Sequence, residues 1–205
     1  MASPAIAAPL SPEEIGQICK ETDDTAHCAR LIEGVQLKRL PGIAVRDGGV
    51  LTVSLYPAGT ATFADTESLR GERSYSLWDY LDPINAVLLY TSDVDNVTYT
   101  LMQRTNGRKI ELPTEPVLSP DRQRLATADF CATRCVNELA VWRVTRDGVR
   151  KEYAWKPTAS WSDAGVKWKD ADTLVIEYTL ADPEKKSGRL ERRLTDPGWI
   201  RSSPP

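Results

Sequence analysis

Histidine is almost missing from this sequence: among 205 residues there is one, His27. A single imidazole between Ala26 and Cys28 cannot supply a three-ligand metal site. Neither an HExxH motif nor a G-x-S-x-G nucleophile turn occurs. His27 therefore reads as a surface or helix-capping residue. There is no glycine-rich phosphate loop, and Gly48-Gly49 reads as a turn. Basic residues are not in excess either. Lys and Arg number 26 against 29 Asp and Glu, for a net charge of −3. Phosphate binding needs clustered cations, so nucleic acid is not an expected partner. The pairs Lys185-Lys186 and Arg192-Arg193 have acidic neighbours and read as solvated surface. No run approaches the ~20 apolar residues of a membrane helix, so no membrane insertion is expected. No cofactor, metal site or catalytic set is expected from these residues.

What is present begins with four cysteines in two close pairs, Cys19/Cys28 and Cys131/Cys135. Zinc would need C-x2-4-C spacing in both halves, and only the second pair has it. A redox C-x-x-C is absent. The spacing favours two local disulfides, each closing a short loop and each contributing about 2–3 kcal/mol. Such bonds imply an oxidising compartment, periplasmic or extracellular. The first ten residues are rich in Ala and Pro, and Ala5-Ile6-Ala7 resembles the flank of a signal-peptide cleavage site. Residues 1–10 are read as a disordered leader, with a plain Ala/Pro leader on a cytosolic protein as the alternative.

Residues 11–40 read as two helices. Ser11-Pro12-Glu13-Glu14 is a capping box with Pro at the first helical position. Thr22-Asp23-Asp24-Thr25 breaks the run and offers a second cap. On one continuous helix Cys19 and Cys28 would face opposite sides, so their bridge requires this break. The second helix is expected to pack through Cys28, Leu31, Ile32 and Val35, which fall on one face.

After Pro41 the pattern changes to short alternating runs divided by turn residues. Val50–Leu55, 60–64, 86–90, 97–104, 109–112, 124–128, 138–145, 150–155, 165–168, 173–179 and 189–194 read as strands. Asn106-Gly107 and Asp147-Gly148 are hairpin signals. The fold class expected is mainly β, an antiparallel meander over residues 41–198, with residues 199–205 as a tail.

Two stretches carry a family resemblance. Val117-Leu118-Ser119-Pro120-Asp121-Arg122-Gln123-Arg124-Leu125-Ala126, followed by Glu138–Val144 and Asp147-Gly148, resembles a β-propeller blade of the TolB or WD type. Arg122 stands where that turn usually has Gly. Trp161-Ser162-Asp163 through Leu174 resembles the start of a following blade, and 86–112 a degenerate preceding one. The resemblance covers about half the chain. It implies blade-like β units in a small or incomplete propeller, or the same meander rolled into a sandwich. It is also similar to uncharacterised exported bacterial proteins, and it assigns no activity.

Candidate chemistry is sparse. Asp79, Asp82, Asp93, Asp95, Asp121, Asp163 and Asp172 fall in predicted turns, where Asp is the ordinary residue because it bonds nearby N–H groups. Asp93-Val94-Asp95-Asn96 lacks the Gly and distal Glu of a calcium loop. Six tryptophans are many for this length. Trp142 and Trp168 lie in alternating runs and read as core. Trp78, Trp155, Trp161 and Trp199 sit at element ends, where an exposed ring can anchor a partner or stack on a sugar. The binding residues expected are Tyr75, Trp78, Asp79, Tyr80, Asp93, Asp95, Arg134 and Trp161, in loops at 75–82, 92–96 and 129–136. The function expected is an exported, non-catalytic binding protein for a protein partner in the cell envelope, of inhibitor or accessory type. The alternative is a carbohydrate-active or cell-wall-binding protein that uses Asp pairs and Trp platforms.

Overall fold

The computed structural model describes residues 9–68, 71–94, 96–182, 184 and 186–202. Most of the predicted leader therefore lies outside the described residues, as does Asp95. The described chain is mainly β, with two helices leading into short antiparallel strands. It divides into two compact units, Met1–Glu111 and Leu112–Pro205.

Helix α1 (Pro12–Ile18) starts on the capping box read from the sequence. The Ser11 hydroxyl accepts from the Glu14 N–H, and the Glu14 carboxylate accepts from the Ser11 N–H. Helix α2 (Thr25–Arg39) is capped by the Asp24 carboxylate, which accepts from the N–H groups of Ala26 and His27. The break between them lets Cys19 and Cys28 bond, with Cα atoms 5.0 Å apart. The buried face of α2 differs from the expected one. Ala29, Ile32, Glu33 and Gln36 are buried, whereas Leu31 is 37% exposed and Cys28 and Val35 are only half-buried. Two polar residues on the inner face hid its true phase from a hydrophobicity pattern.

In the first unit, β1 (Ala44–Asp47), β2 (Val50–Ser54) and β3 (Thr60–Ala64) form one meander. Strands β4 (Thr66–Ser68), β5 (Gly71–Leu81), β6 (Ala86–Asp93), β7 (Asn96–Gln103) and β8 (Lys109–Leu112) form a second. Leu51, Val53 and Phe63 from the first sheet meet Leu77, Val87, Leu89 and Met102 from the second. Full burial of each such side chain is worth about 1.5–3 kcal/mol. Gly107 (φ +67°), in the Asn-Gly hairpin signal, and Gly48 (φ +52°), in the Gly48-Gly49 turn, take left-handed conformations that suit glycine.

In the second unit, β9 (Val117–Leu118), β10 (Arg124–Asp129), β11 (Glu138–Thr145) and β12 (Gly148–Trp155) follow one another as a meander. Strands β13 (Trp161–Trp168), β14 (Thr173–Leu180) and β15 (Ser187–Arg193) form a three-stranded sheet. Ala126, Leu139 and Val141 share a core with Trp161, Leu174 and Ile176. The segment read as a tail carries β16 (Ile200–Arg201), which pairs with β12 through Tyr153 and Ala154.

Candidate functional site

The cluster expected at 75–82 is not a loop. Residues 75–81 belong to β5, the longest strand, followed by a 3-10 turn over Asp82–Ile84. A β-bulge between Leu77 and Asp79 shifts the register against β6. The bulge moves the inward phase from Tyr75 and Leu77 to Tyr80, and all three contact the core. That shift breaks strict alternation, which is why the run did not read as a strand.

The aromatic residues of this cluster are engaged within the unit. Tyr75 packs on Phe63, with ring centroids 5.4 Å apart. Trp78 stacks on Tyr90 at 5.7 Å and meets Tyr99 edge-on at 5.6 Å. The Tyr80 hydroxyl donates to the Asn85 side-chain oxygen at 2.9 Å. Arg104 donates to that same oxygen at 3.0 Å and lies over the Tyr80 ring. Asp79 accepts from the Tyr80 N–H at 2.8 Å. Burial pushes the Asp79 carboxyl above the ordinary range, against the opposing pull of the Tyr80 N–H, Arg39 and Gln36.

One edge of β5 pairs with β4 only as far as Arg73. Beyond it, side chains satisfy the strand's outward main-chain groups. The Tyr75 N–H donates to Asp65 Oδ1 at 3.0 Å. The Tyr75 carbonyl accepts from Arg30 Nη1 at 2.8 Å and from Arg46 Nη2. The Leu77 N–H donates to Glu33 Oε2 at 2.8 Å, and the Trp78 carbonyl accepts from Gln36 Nε2 at 2.8 Å. Arg46 and Arg30 also pair with Glu33 and Asp65. The Glu33 side chain is 3% exposed. Sequence reasoning missed all five of these residues. Glu33 and Arg30 sit on a helix among other polar residues, and nothing local marks them as buried.

A groove of about 490 Å³ opens beside this network, lined by His27, Arg30, Asp65, Glu67, Glu72 and Ser74 among others. Glu67 and Glu72 are direct cross-strand partners, an arrangement that is electrostatically unfavourable unless a cation lies near. His27 is exposed on the first turn of α2. Among the described residues, no three His, Cys, Asp or Glu side chains gather to hold a metal ion.

The other expected residues are dispersed. Asp93 ends β6 and pairs with Arg73 at 3.5 Å. Trp161 is 5% exposed, stacked on Tyr178 at 4.2 Å and tilted against Phe130 at 4.9 Å. Trp155 and Trp199 hold the Arg192 guanidinium over their faces, at 4.3 and 5.0 Å from the ring centres. Arg134 is exposed in the loop closed by Cys131–Cys135, with Cα atoms 5.4 Å apart.

That loop is fastened at several points. The Val136 N–H donates to the buried Asp129 carboxylate at 2.8 Å, and the Cys131 N–H donates to Asn137 Oδ1 at 3.2 Å. Asn137 takes a left-handed conformation (φ +55°), which turns the chain back into β11. Ala132, Thr133 and Arg134 remain exposed, and Val136 is 55% exposed.

The chain matches no protein-family model, and no curated protein matches it in sequence.

Proposed function

We propose that this chain is an exported binding protein that engages a protein partner in the cell envelope and catalyses no reaction. The observation that carries this reading is the 131–137 loop. It joins a disulfide, two side-chain-to-main-chain bonds and a left-handed Asn to an outward-facing Arg134 and Val136. A loop ordered before binding loses little conformational entropy on contact, which strengthens association. An exposed apolar residue beside an Arg has the character of an interface anchor. The two disulfides support an oxidising compartment. Protein is favoured over sugar as the ligand because the Trp161 ring is buried and Arg192 covers faces of Trp155 and Trp199.

The test is site-specific photo-crosslinking in an envelope fraction from the producing cell. A photoreactive residue at position 136 is expected to give one discrete adduct. The same residue at position 45, where Val45 is 61% exposed, is expected to give none. The adduct should disappear in Cys131→Ser/Cys135→Ser. Equal labelling from both positions, or an adduct indifferent to the disulfide, overturns the proposal.

A further inference from the structure

The asparagines of this chain are Asn85, Asn96, Asn106 and Asn137. Only Asn106 is followed by glycine; Ala86, Val97 and Glu138 follow the others. The side-chain amide of an asparagine is open to attack by the main-chain nitrogen of the next residue. A Cβ on that residue hinders the approach, and Gly107 has none. Asn106 is also exposed, in the turn that joins β7 to β8.

The closed turn engages both reacting groups. The Gly107 N–H, which must lose its proton before attack, donates to the Gln103 carbonyl at 2.9 Å. Asn106 Nδ2 donates to Gln103 Oε1 at 3.3 Å, and Asn106 Oδ1 accepts from the Arg108 N–H at 2.9 Å. Gln103 is itself buried, and its N–H closes the turn on the Arg108 carbonyl at 3.0 Å. Bringing Asn106 Cγ onto the Gly107 nitrogen therefore requires these bonds to break.

We propose that Asn106 is a self-modification site gated by this turn: it converts to aspartate or isoaspartate only when the turn opens, and the isoaspartate form keeps the turn from closing as before. Hydroxide from the solvent removes the Gly107 amide proton. The nitrogen then bonds to Asn106 Cγ, and the Cγ–Nδ2 bond breaks to release ammonia. Water opens the resulting cyclic imide, and no group is oxidised or reduced. Hydrolysis at one carbonyl leaves aspartate. Hydrolysis at the other routes the main chain through Cβ, which lengthens the backbone between Gln103 and Arg108. The bond from the Gly107 N–H to the Gln103 carbonyl cannot keep its geometry in that longer turn.

Peptide mapping by mass spectrometry decides this, with the native chain and the urea-unfolded chain aged in the same mildly alkaline buffer. Conversion at Asn106 should be at least about tenfold slower in the native chain, and hydrogen exchange at the Gly107 amide should be slowed by a similar factor, since both need the same opening. In the unfolded chain Asn106 should convert before Asn85, Asn96 and Asn137. Gln103→Ala removes the side-chain anchor of Asn106 and should age faster than the native parent. Chains enriched in isoaspartate at position 106 should exchange the Gly107 amide faster than unmodified ones. Equal ageing of native and unfolded chains overturns the proposal, as does fast conversion while the Gly107 amide stays protected. A folded Gln103→Ala that ages no faster than the parent also counts against it. If circular dichroism shows that variant unfolded, the two rates of the parent chain decide alone.

Discussion

Tyr178 lies directly over Gly188, its cross-strand partner in the second unit. A Cβ placed on Gly188 would sit 2.5 Å from the Tyr178 ring. The ring cannot retreat, because its other face stacks on Trp161 at an interplanar angle of 6°. Gly188→Ala is therefore expected to destabilise the protein by about 1–3 kcal/mol, the usual cost of overpacking. Gly165→Ala is the matched control, since nothing lies within 4 Å of its Cβ. Urea unfolding should show a lower midpoint for Gly188→Ala and a midpoint near the parent value for Gly165→Ala.

Arg122 offers the opposite case. It holds φ at +62°, in the turn where Ser119 Oγ donates to Asp121 at 2.6 Å and accepts from the Arg124 N–H at 3.0 Å. A left-handed conformation costs a side-chain-bearing residue about 1–2 kcal/mol. Glycine removes that strain, though it adds freedom to the unfolded chain. Arg122→Gly is expected to stabilise by up to about 1 kcal/mol, read as a higher urea midpoint with an unchanged slope.

The same turn shows what the sequence made legible. Ser119, Asp121 and the residue after it follow local rules of hydrogen bonding and backbone conformation, so the turn was readable from a few neighbours. The capping box of α1, the break before α2 and both disulfides were readable for the same reason. The β5 edge was not. Glu33 and Arg46 are brought together by tertiary structure across 13 residues, and neither carries a local sign of burial. The bulge at Trp78 likewise erased the period-two pattern of the longest strand. The Trp161 ring was misplaced because a strand's first residue and a loop's last are indistinguishable until the sheet that covers them is known.

Asp79 should give stability a pH dependence. Its folded-state pKa is raised, chiefly by burial, so the folded state binds the proton more tightly than the unfolded state does. This contribution is fully present below the unfolded carboxyl pKa and is lost as pH rises through the folded one. Where it is ionised, the half-buried carboxylate works against folding. Asp79→Asn keeps an oxygen to accept from the Tyr80 N–H and removes the charge. The variant should be more stable than the parent at pH 7, with the advantage shrinking toward acid. Thermal melts at a series of pH values would show this, and a constant difference across the range would argue against it.

Glu33 and Arg46 should show strong coupling. Glu33→Ala leaves the Arg46 guanidinium, which is 14% exposed at the side chain, without its main carboxylate, and it orphans the Leu77 N–H. Breaking one partner of a buried pair typically costs about 3–5 kcal/mol. Replacing both partners with Leu removes the uncompensated charge, so the double variant should lose less stability than Glu33→Ala alone. Asp65 and Arg30 still satisfy the main-chain groups of Tyr75 in that variant. A double-mutant cycle with Glu33→Leu and Arg46→Leu, measured by urea unfolding, should give a coupling energy of about 1–3 kcal/mol. Additive losses would mean that the two side chains fold independently and that the edge of β5 does not depend on their pairing.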